Sequence, residues 1–190
     1  MRFKGLTLGV PREIMEHEFR VAAIPETVVQ FVAEGAKVLF EAGAGDTSYH
    51  YDAEYREAGA EIVEDSAEIF AQSDIILKVK EPLFNPEKNC HEVSMMKRGQ
   101  TLVAFLHPAS PSNHQMVRDL AAQGVLSFTL DGVPRIPKAQ PMDALTSMST
   151  VAGYKGVIMA ADKLPSFIPL TNTAVGMVNP SQGFIAGVGV

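Results

Sequence analysis

Short apolar runs separated by helix-length amphipathic stretches set the rhythm of this chain. Leu6–Val10, Lys37–Glu41, Asp74–Val79, Thr101–Leu106 and Val125–Leu130 are brief, mostly apolar and bounded by turn residues or charges, which predicts strands. The stretches between them predict helices. Pro25–Glu34 opens on Pro-Glu and ends at Gly35, and Asp52–Ala58 ends at Gly59. Ser66–Gln72 starts on a serine cap, and Glu92–Arg98 ends at Gly99. Ser112–Gln123 ends at Gly124 and places Met116, Val117 and Leu120 on one face. Alternating strands and helices predict an α/β fold with a doubly wound, mostly parallel sheet. Continuous apolar strands such as Ile75-Ile76-Leu77 agree with burial on both faces.

After Leu130 the texture changes. Residues 131–140 form a polar loop with Pro134 and Pro137, and Pro141–Leu164 predicts one long helix. Met142, Leu145, Met148, Ala152, Val157 and Met159 give that helix a rough apolar stripe, interrupted by Gly153 and Gly156. Pro165–Asn179 predicts no regular element. The chain closes on Gly183-Phe-Ile-Ala-Gly187-Val-Gly189-Val190. An apolar strand followed by Gly187-x-Gly189 opens like a dinucleotide-binding fingerprint, in which glycines let a pyrophosphate approach the backbone. On spacing alone the same residues also read as a flexible tail. The expected organisation is an α/β domain over 1–138, a linking helix over 139–164, and a segment over 165–190 that ends on the opening of this fingerprint.

Composition narrows the classes. With 190 residues, 46% hydrophobic and 20% charged, the chain resembles an ordinary globular protein that builds a core without staples. Its net charge of -6, with no basic cluster longer than Lys97-Arg98, argues against nucleic-acid binding. The one cysteine, Cys90, excludes an internal disulfide, fits a reducing compartment and reads as an inert loop position. No targeting segment and no run of about 18 apolar residues is seen, so a cytoplasmic protein without direct membrane insertion is expected. No metal site is expected.

In a doubly wound sheet the site lies outside the carboxyl ends of the strands. Lys78 and Lys80 flank Val79 at one such end, and strand alternation puts both on one face. They are either solvated at a strand exit or used to polarise a carbonyl or bind a carboxylate. His107 follows Leu102–Leu106 directly, as a structural histidine or a proton-transfer group. Arg20, in the loop after the first strand, is either solvated or grips a carboxylate with two hydrogen bonds. Together the three cations suggest a pocket for a small 2-oxo acid. In the loop 133–143, Arg135, Gln140 and Asp143 offer donors and acceptors to a carboxamide, although helix capping by Asp143 or Gln140 is the simpler account.

Five phrases now carry a resemblance: Gly9-Val-Pro-Arg-Glu13, Glu18-Phe-Arg-Val-Ala-Ala-Ile-Pro25, Glu41-Ala-Gly-Ala-Gly45, Leu77-Lys-Val-Lys-Glu-Pro82 and Val151-Ala-Gly-Tyr-Lys155. The chain resembles the alanine dehydrogenase and pyridine nucleotide transhydrogenase family over essentially its whole length. The family implies two domains of Rossmann/flavodoxin-like topology. A segment near the C-terminus completes the first, and the second binds NAD through a glycine loop that begins here at Gly187. The loop Pro134-Arg135-Ile-x-x-Ala-Gln140-x-Met-Asp143-Ala-Leu is similar to the transhydrogenase alpha subunit. It implies places beside the nicotinamide for Arg135, Gln140 and Asp143, with Thr146 where that branch usually carries serine. Arg20, Lys80 and His107 match the dehydrogenase branch, in which the Arg and Lys bind pyruvate and the His is the acid/base; Ser149 matches a cofactor-side serine there. The first expectation is an NAD(H)-binding transhydrogenase alpha subunit, with NADP on a partner subunit, membrane subunits beside it, a position at the inner membrane through them, and a dimeric or higher homo-oligomer. The second is an alanine dehydrogenase. The third, of another class, is a non-catalytic binding or assembly module.

Overall fold

Aliphatic runs at Thr7–Val10 (β1), Lys37–Glu41 (β2), Glu61–Val63 (β3), Ile75–Leu77 (β4), Thr101–Ala104 (β7) and Leu126–Thr129 (β8) pair side by side in the order β3-β2-β1-β4-β7-β8. Every neighbouring pair in this sheet is parallel. A two-stranded hairpin, Phe84–Asn85 (β5) and Cys90–His91 (β6), stands apart from it. Cys90 is free and half-buried there. The helices are Pro25–Ala33 (α1), Asp52–Glu57 (α2), Ser66–Gln72 (α3), Glu92–Met95 (α4) and His114–Gln123 (α5). This computed structural model describes residues 1–183, in two units, Met1–Gly132 and Val133–Val190. Gly187 and Gly189 lie outside the described residues, as does the expected opening strand of a second domain.

Residues in register across parallel strands share a face. On one face Leu8, Val10, Val38 and Phe40 meet Val28 of α1 and Tyr55 of α2. Tyr55 stacks on Phe40 with ring centroids 3.6 Å apart. On the other, Leu39, Ile76, Leu102 and Ala104 meet Ile69, Phe70, Met116 and Leu120 of the opposite helices. The sheet is therefore doubly wound, as the alternation predicts. Covering is uneven, however. Where Ile75, Thr101 and Leu126 align in one row, and Leu77, Val103 and Phe128 in the next, exposure increases toward β8, and Leu126 and Phe128 are exposed.

Gly9 is the point where α3 comes closest to the sheet. A Cβ there would overlap Ser73 Oγ and lie 2.6 Å from Ile69 Cγ2. Both neighbours belong to a fully buried layer, so Gly9→Ala is expected to destabilise the chain by about 1–3 kcal/mol in urea unfolding. An unchanged midpoint would show that α3 can move.

Several boundaries differ from the pattern. Glu61–Val63 is a strand that periodicity misses, because an edge strand with only Ile62 and Val63 apolar has too little signal. The helix expected from Ser66 is capped by Asp65, whose carboxylate accepts from the Ala67 N–H at 2.8 Å. The helix expected over Glu92–Arg98 is a single turn. In the second unit the long helix is Ala144–Lys163 (α6), and a hairpin, Thr171–Thr173 (β9) with Gly176–Val178 (β10), occupies the stretch expected to be irregular. The expected apolar stripe of α6 is unevenly covered: Leu145 and Met148 are half-buried, whereas Met142, Ala152, Val157 and Met159 are exposed. No helix among the described residues is long and apolar enough to cross a membrane.

Candidate active site

The chain leaves β1 toward β2 and β3, then returns to β4 and continues the other way. The loops after β1 and β4 thus diverge at a topological switch point, where a crevice forms at the strands' carboxyl ends. Residues 11–24, after β1, contain no helix or strand, yet neighbouring side chains hold them. Glu41, at the end of β2, accepts from the Arg12 N–H at 2.8 Å. Thr47 and Ser48 both donate to the Phe19 carbonyl, at 3.0 and 2.6 Å. The buried Tyr55 hydroxyl donates to the Ala23 carbonyl at 3.0 Å. A loop whose buried polar groups are satisfied this way can present side chains in defined places.

Within this loop Glu18 grips Arg20 along one edge of the guanidinium, with Nε to Oε1 at 2.7 Å and Nη2 to Oε2 at 2.6 Å. The Arg20 hydrogen bonds hold the Glu18 carboxyl below its ordinary range, against burial, and the Lys80 charge contributes to the same end. Glu18 is therefore paired with Arg20 and lies within reach of the Lys80 charge.

The two lysines of the strand exit part company. The regular ladder ends at Leu77, and the alternation that would put both on one face does not carry through. Lys78 is buried, its ammonium 2.9 Å from Glu92 Oε1 and 3.4 Å from Glu13 Oε2. Burial alone would lower its pKa; the two carboxylates reverse this and raise it, so Lys78 stays charged through the neutral range. Lys80 is half-buried, beside the crevice. Of the pair, Lys80 is the one whose side chain remains accessible.

His107 lies within the loop after β7 with a φ of 45°, a left-handed conformation that a histidine adopts at a cost. Its Nδ1 lies 2.8 Å from Asp131 Oδ1, and its own N–H donates to Asp131 Oδ2 at 2.9 Å. Fixing Nδ1 on a carboxylate directs Nε2 outward as the proton-exchanging nitrogen. On that side Glu81 Oε2 stands 4.0 Å away, buried and without a hydrogen-bond partner among the described residues. Burial pushes the Asp131 carboxyl up, but the Thr129 hydroxyl at 2.5 Å, the N–H groups of His107 and Leu106 and the His107 charge together hold it below its ordinary value of 3.8. A depressed folded-state pKa contributes stability above the unfolded value and loses it as pH falls through the folded one. Asp131→Asn is therefore expected to lower stability by about 1–3 kcal/mol at pH 7. The difference from the unaltered chain should shrink below about pH 4, which urea titrations at both pH values would check.

The second cluster belongs to the second unit. Asp143 caps α6: Oδ1 accepts from the Leu145 and Thr146 N–H at 2.9 and 3.2 Å, and Oδ2 from the Thr146 hydroxyl at 2.6 Å. These bonds, the Thr146 hydroxyl first, hold its carboxyl low, and Arg135 adds its charge. Arg135 and Gln140 are exposed, and neither side chain makes a hydrogen bond among the described residues. Ser149, also exposed, lies in the second turn of α6. Uncommitted N–H donors on Arg135 and an amide on Gln140 match what a carboxamide needs, whereas Asp143 is largely occupied by the helix start.

Glu13, Glu18, Glu81 and Asp131 escaped the sequence reading as site residues. Asp131 is 24 residues from His107 and meets it because β7 and β8 are adjacent in the sheet. The others are acids beside recognisable cations, whose pairing no spacing rule announces.

The family model for the alanine dehydrogenase/PNT N-terminal domain matches residues 9–152. The NAD(P) transhydrogenase subunit alpha of Haemophilus influenzae is 41% identical over 97% of this chain, which covers 34% of that protein. The alanine dehydrogenase of Mycolicibacterium smegmatis is 36% identical over 78% of this chain, with 37% of that enzyme covered. The crystal structure of a transhydrogenase from Sinorhizobium meliloti superimposes with a TM-score of 0.79 at 33% identity, covering 92% of this chain and 49% of its own. The chain thus spans between a third and a half of the length of these proteins.

Proposed function

Because the chain belongs to the alanine dehydrogenase/PNT N-terminal domain family, we propose that it is the N-terminal part of the NAD(H)-binding alpha subunit of an NAD(P) transhydrogenase, passing hydride between NAD(H) and NADP(H). The observation that carries this reading is the likeness to transhydrogenase subunits across 97% of the chain, which runs through the Arg135–Asp143 loop. Bound NAD(H) supplies the hydride. In this reading Arg135 and Gln140 hold the carboxamide that orients the nicotinamide ring. Asp143 and Thr146 start the helix beside them, Ser149 serves the cofactor, and Gly187 and Gly189 belong to the glycine loop that takes its phosphates. NADP(H) then belongs to a partner subunit, with membrane subunits beside it, and the protein works as a dimer or higher homo-oligomer on the cytoplasmic face.

One observation favours a second reading, an alanine dehydrogenase that reduces pyruvate with ammonia. Glu18 pairs with Arg20 and feels the Lys80 charge, and His107 has its Nδ1 fixed by Asp131. That arrangement suits a 2-oxo acid: Arg20 takes the carboxylate, Lys80 the carbonyl oxygen, and His107 Nε2 the proton. A nucleotide-to-nucleotide transfer needs no such proton donor. The test is NADH oxidation by the chain extended to the length of its relatives, with pyruvate and ammonium as one acceptor and an NADP analogue, with the partner subunit, as the other. Turnover with the nucleotide alone supports the transhydrogenase; rapid turnover with pyruvate and ammonium overturns it in favour of the dehydrogenase.

A further inference from the structure

We propose that the buried triad Glu13–Lys78–Glu92 is a positioning device that sets the place of Lys80, and that Glu13 is its active arm. The proposal rests on Lys80 being the lysine that meets a ligand, as argued above. Glu13 comes from the loop after β1, and its side chain is 3% exposed. Its Oε1 accepts from the Val79 N–H at 2.6 Å and its Oε2 from the Lys80 N–H at 3.3 Å. Glu92, the first residue of α4, accepts from the Leu83 N–H at 2.8 Å through Oε2. Its backbone N–H donates to the Leu83 carbonyl at 2.9 Å. Lys78 Nζ joins the two carboxylates. Residues 78–83 are thus held at the beginning by Glu13 and at the end by Glu92, with Lys80 and Glu81 between.

Stability is a poor reason for this arrangement. Well-packed apolar residues commonly replace a buried ion cluster without loss, whereas removal of one member leaves uncompensated charge. What apolar residues cannot do is accept the N–H bonds of Val79 and Lys80. Glu13 also ties the Lys80 loop to the loop that carries Arg20, because it belongs to the latter and accepts the Val79 and Lys80 N–H bonds.

The test reads the lysine directly and needs no turnover. The rate of acetic anhydride labelling of Lys80, measured by mass spectrometry on the 190-residue chain, is compared with that of exposed Lys155. Three variants serve: Glu13→Asp, which keeps the charge but shortens the reach by one methylene; Glu13→Gln/Lys78→Met/Glu92→Gln, which removes all three charges together; and Lys80→Arg, which confirms the labelled site. Labelling of Lys80 is expected to rise at least threefold in the first two variants while Lys155 stays constant and the far-ultraviolet circular dichroism is retained. A Lys80 rate unchanged in Glu13→Asp, with the fold intact, overturns the proposal whether or not the triple variant folds. In the extended protein, Glu13→Asp should raise the KM for pyruvate more than it lowers kcat. If Lys80→Arg leaves pyruvate turnover untouched while the labelling still responds to Glu13, the role assigned to Lys80 fails and the positioning stands.

Discussion

Lys78→Met is expected to destabilise the chain by about 3–5 kcal/mol at pH 7, a large share of a typical domain's stability. The substitution preserves most of the volume, so cavity formation contributes little. The loss arises because Glu13 and Glu92 remain inside with no cation between them. Even with Lys78 present, one ammonium serves two carboxylates. Burial accordingly raises the Glu13 carboxyl above its ordinary value of 4.5, with Lys78 and the Val79 N–H only partly offsetting it. Without the ammonium that rise grows. A group whose folded-state pKa is raised contributes stability below its unfolded value and loses it as pH rises through the folded one. The deficit of Lys78→Met should therefore be small near pH 4 and full at pH 7. Urea unfolding at the two pH values measures it, and a deficit that does not depend on pH would point to packing instead of charge. Lys78 itself shows the opposite dependence in the unaltered chain: its raised pKa contributes stability throughout the neutral range, lost only as pH climbs above about 10.

His107→Ala, in the protein extended to its relatives' length, is expected to reduce amino-acid dehydrogenation by about 10²–10⁴-fold. Hydride transfer between nucleotides should change by less than about threefold. The asymmetry follows from what each reaction needs. Reduction of a 2-oxo acid or its imine requires a proton, and His107 Nε2 is the group freed for it by the Asp131 contact at Nδ1. Transfer between two nicotinamides involves no heteroatom that must be protonated. The left-handed backbone at His107 sharpens the test, because alanine tolerates that region less well than histidine. A parallel His107→Asn variant keeps the tolerance and removes the proton transfer. Equal loss of both activities in His107→Ala, restored for both in His107→Asn, would assign the residue to the fold.

Much of the architecture was legible in the chain itself. Apolar runs of strand length alternating with amphipathic stretches admit few solutions, since a strand apolar on both faces must be covered on both. The parallel, doubly wound sheet follows from that, as does the rule that Arg20, Lys80 and His107 belong at the carboxyl ends of strands. Elements with weak local signals were not legible. The edge strand Glu61–Val63 offers two apolar side chains, and the hairpin at Thr171–Val178 has no alternation at all. Asp143 was legible as a helix cap because capping is local chemistry, complete within three residues.

Partnership was decided elsewhere. Lys78 and Lys80 are indistinguishable in sequence, two apart and identical in type. Tertiary packing gives one a closed pair of carboxylates and leaves the other half-buried beside the crevice. Asp131 becomes the partner of His107 because parallel neighbours β7 and β8 bring their carboxyl ends together across 24 residues of chain. Periodicity is set by contacts within a turn or two of the backbone, so the sequence alone determined the alternation of elements and the doubly wound layers. Which acid faces which base depends on strand order, a property of the assembled sheet, and only the tertiary structure decided that.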